Sequence, residues 1–474
     1  MIFHSLDFLL FFVAVLCAYW ALNLRLQNVF LLGASYFFYG YVHYWYCALI
    51  AVTTLIDYVC ARAIEANPNK KKRFLSVSLI SNFSILCAFK YFNFFADSLT
   101  TVLNAAGLDA SGVAWQVLLP VGISFYTFQS ASYVVDVYRG KLRARTNLLD
   151  YALFVSFFPQ LVAGPIERAG NLLRRLEAER RFNFEQLRSG LFLMLWGFFK
   201  KIVIADNVAT ICNKALSLGD PAFPVVWGGV FAFCIQVYAD FSAYTDIARG
   251  AARTLGIEIC RNFDHPYLAR NPAAFWGRWH ISLSTWFRDY VYIPLGGNRR
   301  GEGRIVFNLM ATFVLSGLWH GASWNFVIWG AYHGILLVAW RFLSNGRPSI
   351  ENPKSRLART GQWIIMFILT NIGWLIFREQ NPEYIILYLT SSPFGVSLDD
   401  WRMGLYFLVM TAFYSLPLWL HAWTDSWCTG DENWRKREQK WKWTLVQGGV
   451  AGVLLMAILL LKTETKSDFI YFQF

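Results

Sequence analysis

The sequence predicts an all-α polytopic protein that crosses a membrane many times, and three observations support this. Hydrophobic residues make up 56% of the 474 positions, whereas charged residues make up only 15%. A soluble globular protein has about 25% charged residues, so this chain has too few to cover a water-soluble body. Its apolar runs reach the ~20 residues that a helix needs to cross the hydrocarbon core. These runs are continuous and do not alternate with polar residues, as the strands of a membrane barrel would.

Twelve apolar stretches are the predicted spans. They lie near 7–24, 28–46, 48–63, 74–95, 115–136, 187–210, 223–247, 305–320, 324–342, 359–377, 403–422 and 443–461. Two further stretches, 148–166 and 272–297, are interrupted by proline, glycine or charged residues. Irregular backbone is tolerated at membrane depth only where protein surrounds it, so both stretches are predicted to be re-entrant or interfacial. Because no repeat or linker divides the chain, we expect one transmembrane domain over 1–474.

The distribution of charge predicts the orientation. The formal net charge is +13, which by itself would suit a nucleic-acid partner. Lysine and arginine, however, cluster in loops between the spans, for example in 70–73, 139–145 and 435–442, whereas 97–116 has none. Cytoplasmic loops of membrane proteins carry such clusters. The pattern therefore predicts an N-terminus outside the cytoplasm, basic loops inside it and no nucleic-acid partner.

His320 is the first candidate for chemistry. It stands in LSGLWHGASWNFVIWG, at the junction of two predicted spans. An ionisable side chain at membrane depth is unfavourable unless it has a partner or faces a cavity, so it is a functional candidate by default. Trp319 and Trp324 could wall an apolar slot beside it. A hydrogen-bonded structural histidine would have the same sequence signature.

His280 is the second candidate. It stands in FWGRWHISLSTWFRDYVYIPLGG, with Trp276 and Ser284 one helical turn away on either side. Arg278 and Arg288 make this segment electropositive, which suits a phosphate-bearing donor. An amphipathic helix anchored in the membrane interface by tryptophan and arginine would look the same in sequence.

A polar stripe runs along the predicted span 223–247. Gln236, Asp240 and Tyr244 are spaced i, i+4 and i+8, so they share one helix face. Such a face either bonds neighbouring helices or lines a polar channel. The eight cysteines include no C-x-x-C pair, and neither a metal site nor a disulfide is expected. No G-x-S-x-G, H-E-x-x-H or Walker pattern is present.

Four longer stretches carry a family resemblance: PVGISFYTFQSASYVVDVYRG (120–140), FFPQLVAGPIERA (157–169), FWGRWHISLSTWFRDYVYIPLGG (275–297) and GLWHGASWNFVIWGAYHG (317–334). With the opening MIFHSLDFLLFF they occur in consistent order over about two-thirds of the chain. In these motifs the sequence resembles the membrane-bound O-acyltransferase family, in the branch of the alginate O-acetylation and teichoic-acid D-alanylation membrane proteins.

The resemblance implies a ring of about 11–12 tilted transmembrane helices, with re-entrant or interfacial helices, around a central tunnel. It implies that His320 and His280 are the catalytic pair and that no cofactor is bound. From their charge, Arg278 and Arg288 are expected to contact the phosphates of the donor. Substrate or tunnel contacts would come from Trp319, Trp324, Trp276, Ser284, Asp240 and Tyr244. Acetyl-CoA would donate the acetyl group from the cytoplasm of a bacterial cell with the chain in its inner membrane. The acceptor would be an extracytoplasmic polysaccharide such as alginate.

Other functions remain open from the sequence. A transporter or flippase for a polysaccharide or lipid-linked sugar would also be polytopic, but it would be expected to show repeat symmetry. A structural subunit of an exopolysaccharide machine would tolerate loss of His320. For an acyltransferase, cellulose, peptidoglycan or teichoic acid are alternative acceptors. The loops 97–114 and 378–402 are too short for a glycan-binding domain of at least ~50 residues, so a periplasmic or membrane-anchored partner protein is expected.

Overall fold

The structure is a computed structural model that describes residues 1–108, 119–162, 164–218, 221–344, 350, 353–424, 441–463, 467, 469 and 470. Every regular element within these ranges is helical, which confirms the all-α prediction.

The helices of the first half of the chain are α1 (Leu6–Trp20), α2 (Leu24–Gly40), α3 (Tyr46–Ala66), α4 (Lys71–Lys90), α5 (Phe92–Ala105), α6 (Ile123–Tyr138), α7 (Leu148–Ser156), α8 (Phe158–Leu161), α9 (Ala169–Glu177), α10 (Phe184–Phe199) and α11 (Asp206–Leu216). Those of the second half are α12 (Phe223–Thr254), α13 (Pro272–Trp276), α14 (Ile281–Phe287), α15 (Glu302–His320), α16 (Trp324–Ser344), α17 (Arg356–Arg378), α18 (Pro382–Thr390), α19 (Leu398–Thr424) and α20 (Trp441–Leu460). Two π-helical segments, Lys200–Ala205 and Arg288–Tyr292, extend α10 and α14.

Within the described ranges, six helices are long and apolar enough to cross a membrane. They are α3, Pro68–Lys90 (which ends with α4), α12, α16, α17 and α19. Two shorter apolar helices, Leu6–Trp20 and Leu445–Leu460, fall on predicted spans as well. The chain is therefore a multi-pass membrane protein. The larger number of spans and their arrangement as a ring around a tunnel stay predictions, and 115–118 of the predicted span 115–136 lie outside the described residues.

Both interrupted stretches are broken into short helices. In 148–166, α7 ends before Phe157, whose ψ of 107° turns the chain into the four-residue α8. In 272–297, the five-residue α13 and the seven-residue α14 are separated at His280, and a π-helical segment follows. Proline near the first position of α8 and of α13 fits this pattern, because the fixed φ of proline and its missing N–H suit a helix start.

The chain divides into two compact units. The first contains residues 1–190 and 248–260, and the second contains 191–247 and 261–474. In the first unit, a buried carboxylate joins two of the long helices. Asp57 on α3 accepts hydrogen bonds from Ser78 (2.6 Å) and Asn82 (2.7 Å) on α4. A polar group buried between apolar helices needs such partners, because leaving it unpaired there is costly.

In the second unit, α15 and α16 form a tight antiparallel pair next to the candidate site. A Cβ at Gly317 would collide with the carbonyl of Phe326, and one at Gly330 would collide with the carbonyl of Phe313. Glycine therefore allows the two backbones to touch, as small residues do between membrane helices. Asn325 then ties the start of α16 to the end of α17 by donating to the carbonyls of Ile376 (3.3 Å) and Phe377 (2.9 Å).

Candidate active site

His280 is fully buried, and its ring is held in one tautomer. Its Nδ1 lies 3.2 Å from Oδ1 of Asn262. The same oxygen accepts from the backbone N–H of Ser282 (3.1 Å) and from its hydroxyl (2.9 Å). Because a backbone N–H can only donate, this atom of Asn262 is the acceptor, and Nδ1 must carry the hydrogen. The neutral ring then has its basic lone pair on Nε2.

The backbone at His280 is in a conformation that non-glycine residues rarely adopt, with φ 43° and ψ 53°. Neighbouring hydrogen bonds hold it there. The N–H of Ile281 donates to the carbonyl of Asn262 (2.9 Å), and the N–H of Asp264 donates to the carbonyl of Arg278 (2.9 Å). These two hydrogen bonds join segments 262–264 and 278–281. An unfavourable backbone conformation such as that of His280 persists only where the surrounding structure holds it in place.

Burial sets the charge of His280. The residue lies between α13 and α14, outside the helices long enough to span, and desolvation lowers its pKa to about 3. Burial disfavours the charged imidazolium, so the ring is neutral at physiological pH. A neutral imidazole with a fixed tautomer can accept a proton or a hydrogen bond at Nε2.

His320 ends α15 and is also buried, with 4% of its surface exposed. Its ring centroid lies 6.4 Å from that of His280, so the structure brings together the two histidines that the sequence singled out. The rings of Trp329 (4.9 Å) and Phe377 (5.5 Å) meet it edge to face. Trp319 packs against both histidines, at 5.1 Å from His320 and 5.9 Å from His280. The pair therefore lies in an aromatic, water-poor environment.

A cavity of about 310 Å³ approaches this pair within the second unit. Its lining includes Ser316, one helical turn before His320 on α15, and Ser284, one turn after His280 on α14. Most of the lining is apolar, and Trp276 forms part of it. The full lining is Ala273, Trp276, Gly277, Leu283, Ser284, Thr285, Phe287, Arg288, Tyr292, Leu309, Thr312, Phe313, Ser316 and Leu337.

The two arginines of the predicted donor site differ in position. Arg288 lines the cavity, and its side chain is 60% exposed, with Nε 2.8 Å from the Asp289 carboxylate. Arg278 is half-buried and interacts with the carbonyl of Asp264 (3.4 Å). Arg288 is therefore the better placed of the two to meet a charged group entering the cavity.

Asp240 and Tyr244 share one face of α12, as their spacing predicts, and both are buried. Asp240 forms an ion pair with Lys201 (3.0 Å) and accepts a hydrogen bond from the N–H of Ile470 (2.7 Å). Tyr244 stacks on Phe469 at 4.0 Å. These contacts join α12 to other parts of the second unit. The polar stripe therefore bonds neighbouring segments, which is one of the two roles that the sequence allowed, the other being to line a polar channel.

One geometric expectation does not fit. Trp324 leaves 60% of its surface exposed at the start of α16, so it does not form a closed wall of a slot. The closing rings around His320 include Trp329 and Phe377, which sequence spacing did not indicate. Asn262 was missed as well, because it lies 18 positions from His280 and carries no motif. A substrate role for Trp324 stays a prediction.

The arrangement suits general acid–base chemistry on a buried substrate. Two histidines stand side by side, one with a fixed tautomer, and an apolar cavity leads to within a turn of each. Histidine is the side chain that most often moves protons in enzymes, and a water-poor site strengthens the electrostatic interactions that it makes.

Known proteins are similar to this chain over most of its length. The membrane-bound O-acyltransferase family profile matches residues 31–386, which include both histidines. The probable alginate O-acetylase AlgI of Azotobacter vinelandii is 38% identical over 410 residues, which are 85% of this chain and 80% of that protein. The protein of the same name from Pseudomonas aeruginosa is 40% identical over 388 residues, covering 81% and 73%. The peptidoglycan O-acetyltransferase of Helicobacter pylori is 36% identical over 401 residues, covering 78% and 74%.

Proposed function

Because the chain belongs to the membrane-bound O-acyltransferase family, we propose that it moves an acetyl group from acetyl-CoA to hydroxyls of an extracytoplasmic polysaccharide such as alginate. The chain is an O-acyltransferase and a multi-pass membrane protein. The acetyl group and the alginate acceptor are supported by relatives named alginate O-acetylase at 38–40% identity. A relative named peptidoglycan O-acetyltransferase makes a peptidoglycan acceptor the alternative.

The observation that carries the proposal is the pairing of His280 and His320 at 6.4 Å, each one helical turn from a serine that lines the cavity. His320 takes the proton of the acceptor hydroxyl as its oxygen attacks the thioester carbonyl. The C–O bond forms, the C–S bond breaks, and the proton passes to the departing CoA sulfur. Because a thiolate leaves readily, no acyl-enzyme intermediate is needed. Such a positioned base contributes about 10²–10⁴-fold to rate.

His280 acts beside His320 in this scheme. Its neutral ring and basic Nε2 follow from the Asn262 hydrogen bond and from burial. A neutral acceptor nitrogen can orient the attacking hydroxyl or hold the shared proton while His320 works. Positioning of this kind lowers the barrier because the reacting groups are already in place before the reaction.

The donor enters the cavity lined by Trp276, Ser284 and Arg288. An apolar lining suits the pantetheine arm of CoA, and the exposed guanidinium of Arg288 suits a phosphate at the entrance. Arg278 contributes positive charge nearby. CoA acts as a substrate carrier here, and the proposal includes no bound cofactor.

The acceptor side involves a partner. We place the chain in the inner membrane of a bacterial cell, with the N-terminus in the periplasm and the basic loops in the cytoplasm, because arginine and lysine cluster in alternate loops. A periplasmic or membrane-anchored protein then receives the acetyl group or presents the polymer. The extracytoplasmic loops are too short to bind a long glycan by themselves.

The test replaces His320 with alanine in cells that make the polymer and measures ester-linked acetate per sugar. His320→Ala should reduce O-acetylation at least ~100-fold, whereas the protein still accumulates in the membrane. His43→Ala is the matched control, because His43 packs against Tyr46 at the start of α3 and is not among the residues that line the cavity. Normal acetate in the His320 variant would overturn the proposal.

A further inference from the structure

Trp276 is one of the large aromatic residues that line the cavity. Only 8% of its surface is exposed. The ring packs edge to face on Phe313 (5.1 Å) from α15 and on Trp329 (5.6 Å) from α16. Trp329 in turn lies 4.9 Å from His320. The ring of Trp329 therefore lies between the cavity-lining Trp276 and His320.

The cavity follows α15 toward that point. Its lining includes Leu309, Thr312 and Ser316 on α15, which lie eleven, eight and four residues before His320. At 1.5 Å per residue these positions are about 16, 12 and 6 Å from His320 along the helix axis. Trp276 packs on Phe313, which lies between Thr312 and Ser316 on α15. An acyl group that enters the cavity and reaches His320 must therefore pass the ring of Trp276.

This region cannot readily widen. Trp276 is also packed on His333 (5.0 Å), and Trp329 is fully buried against His333 (4.9 Å) and Phe377 (5.4 Å). Protein interiors are close-packed, so an extra methylene group in such a place forces side chains out of their preferred rotamers. The wall thus favours short acyl groups.

We propose that Trp276 sets the acyl-chain length of this enzyme, admitting a two-carbon acyl group to His320 and rejecting longer ones. The inference rests on the proposed function, because it assumes that an acyl-CoA enters the cavity. Trp276 contacts the acyl group and determines specificity, whereas the proton transfer stays with the histidines. One methylene more or less in an apolar pocket changes discrimination by about 10–200-fold.

The experiment compares acetyl-CoA with butyryl-CoA in Trp276→Ala and Trp276→Phe, using the full-length protein in membranes. The ratio of kcat/KM for the two donors should fall at least ~10-fold in Trp276→Ala and by a smaller factor in Trp276→Phe. Leu309→Ala is the matched control, because it enlarges the same cavity about 16 Å from His320 and should leave the ratio unchanged.

An unchanged ratio in both Trp276 variants, or an equal change in Leu309→Ala, would overturn the inference even if acetyl transfer by the wild type is normal. Absence of transfer from any acyl-CoA by the wild type would overturn the proposed function instead. In that case the ratio of binding affinities for acetyl-CoA and butyryl-CoA, measured at equilibrium on the same variants, decides the role of Trp276. If Trp276→Ala fails to accumulate, the same two ratios are measured on Trp276→Phe, which keeps an aromatic ring against Phe313, and its result decides.

Discussion

Asn262 offers a sharp test of the site, because it controls His280 without being able to transfer a proton itself. In Asn262→Ala, the Nδ1–H of His280, the N–H of Ser282 and the hydroxyl of Ser282 all lose Oδ1 of Asn262 as an acceptor. Loss of a buried hydrogen-bond acceptor costs about 1–3 kcal/mol. The ring of His280 can avoid the cost of an unpaired Nδ1–H by moving its hydrogen to Nε2. That tautomer no longer offers a basic Nε2, so acyl transfer should fall about 100-fold.

Asn262→Asp is the matched variant, because it keeps an oxygen acceptor in the same place and adds a charge. A carboxylate about 3 Å from the ring favours the imidazolium. It should therefore raise the pKa of His280 from about 3 toward its ordinary value of 6.5. A group with a raised pKa is protonated below that pKa, so activity is lost as the pH falls and recovers above it.

The assay is acyl transfer from labelled acetyl-CoA between pH 5 and 9 in membranes that hold equal amounts of each variant. The wild type should show no acid limb from His280 in this range, the Asp variant should show one, and the Ala variant should be slow at every pH. Thermal unfolding in detergent separates lost folding from lost chemistry. A folded Asn262→Ala protein with the wild-type rate, or an Asp variant with the wild-type pH profile, would refute the role given to His280.

Three further outcomes are expected. Lys201→Met should lower the stability of the protein by about 3–5 kcal/mol in detergent unfolding, because Asp206 (2.9 Å) and Asp240 (3.0 Å) lose their buried counter-charge. Arg402→Met, which breaks an exposed pair with Asp399, should leave unfolding unchanged, and equal effects of the two would contradict the buried network. A cysteine at Lys71 should resist labelling from the periplasm in intact cells, and efficient labelling would reverse the orientation. Purified protein with acetyl-CoA and de-acetylated polymer alone should form no polymer ester, and His320-dependent ester there would rule out an obligatory partner.

The sequence predicted the fold class because membrane helices leave a direct signal, namely long apolar runs with few charges. It also predicted the interruptions at 148–166 and 272–297, since proline, glycine and arginine break the apolar runs there. His280 and His320 were identified through their motifs, but their approach to 6.4 Å depends on long-range packing.

What the sequence did not indicate depends on contacts without a fixed spacing. Asn262 and Asn325 are single amides whose partners lie 18 to 52 positions away. Lys201 lies inside the predicted span 187–210, and nothing in that run indicates a buried lysine. The π-helical segment Lys200–Ala205 buries it together with its neighbour Lys200, which pairs with Asp246 (2.6 Å). The sequence indicated Trp324 beside His320 and not Trp329, whose ring lies 4.9 Å from that of His320 after the turn at 321–323.

Inverted membrane vesicles test the central claim most directly. Their cytoplasmic face is outside, so labelled acetyl-CoA added to the medium reaches the proposed donor cavity without crossing the membrane. In vesicles that carry the wild-type chain and the native polymer machinery, alkali-labile acetyl ester should accumulate in the lumen. It should fall at least ~100-fold in His320→Ala. Luminal ester that forms equally well without His320, or that appears only after the membrane is permeabilised, would contradict the account.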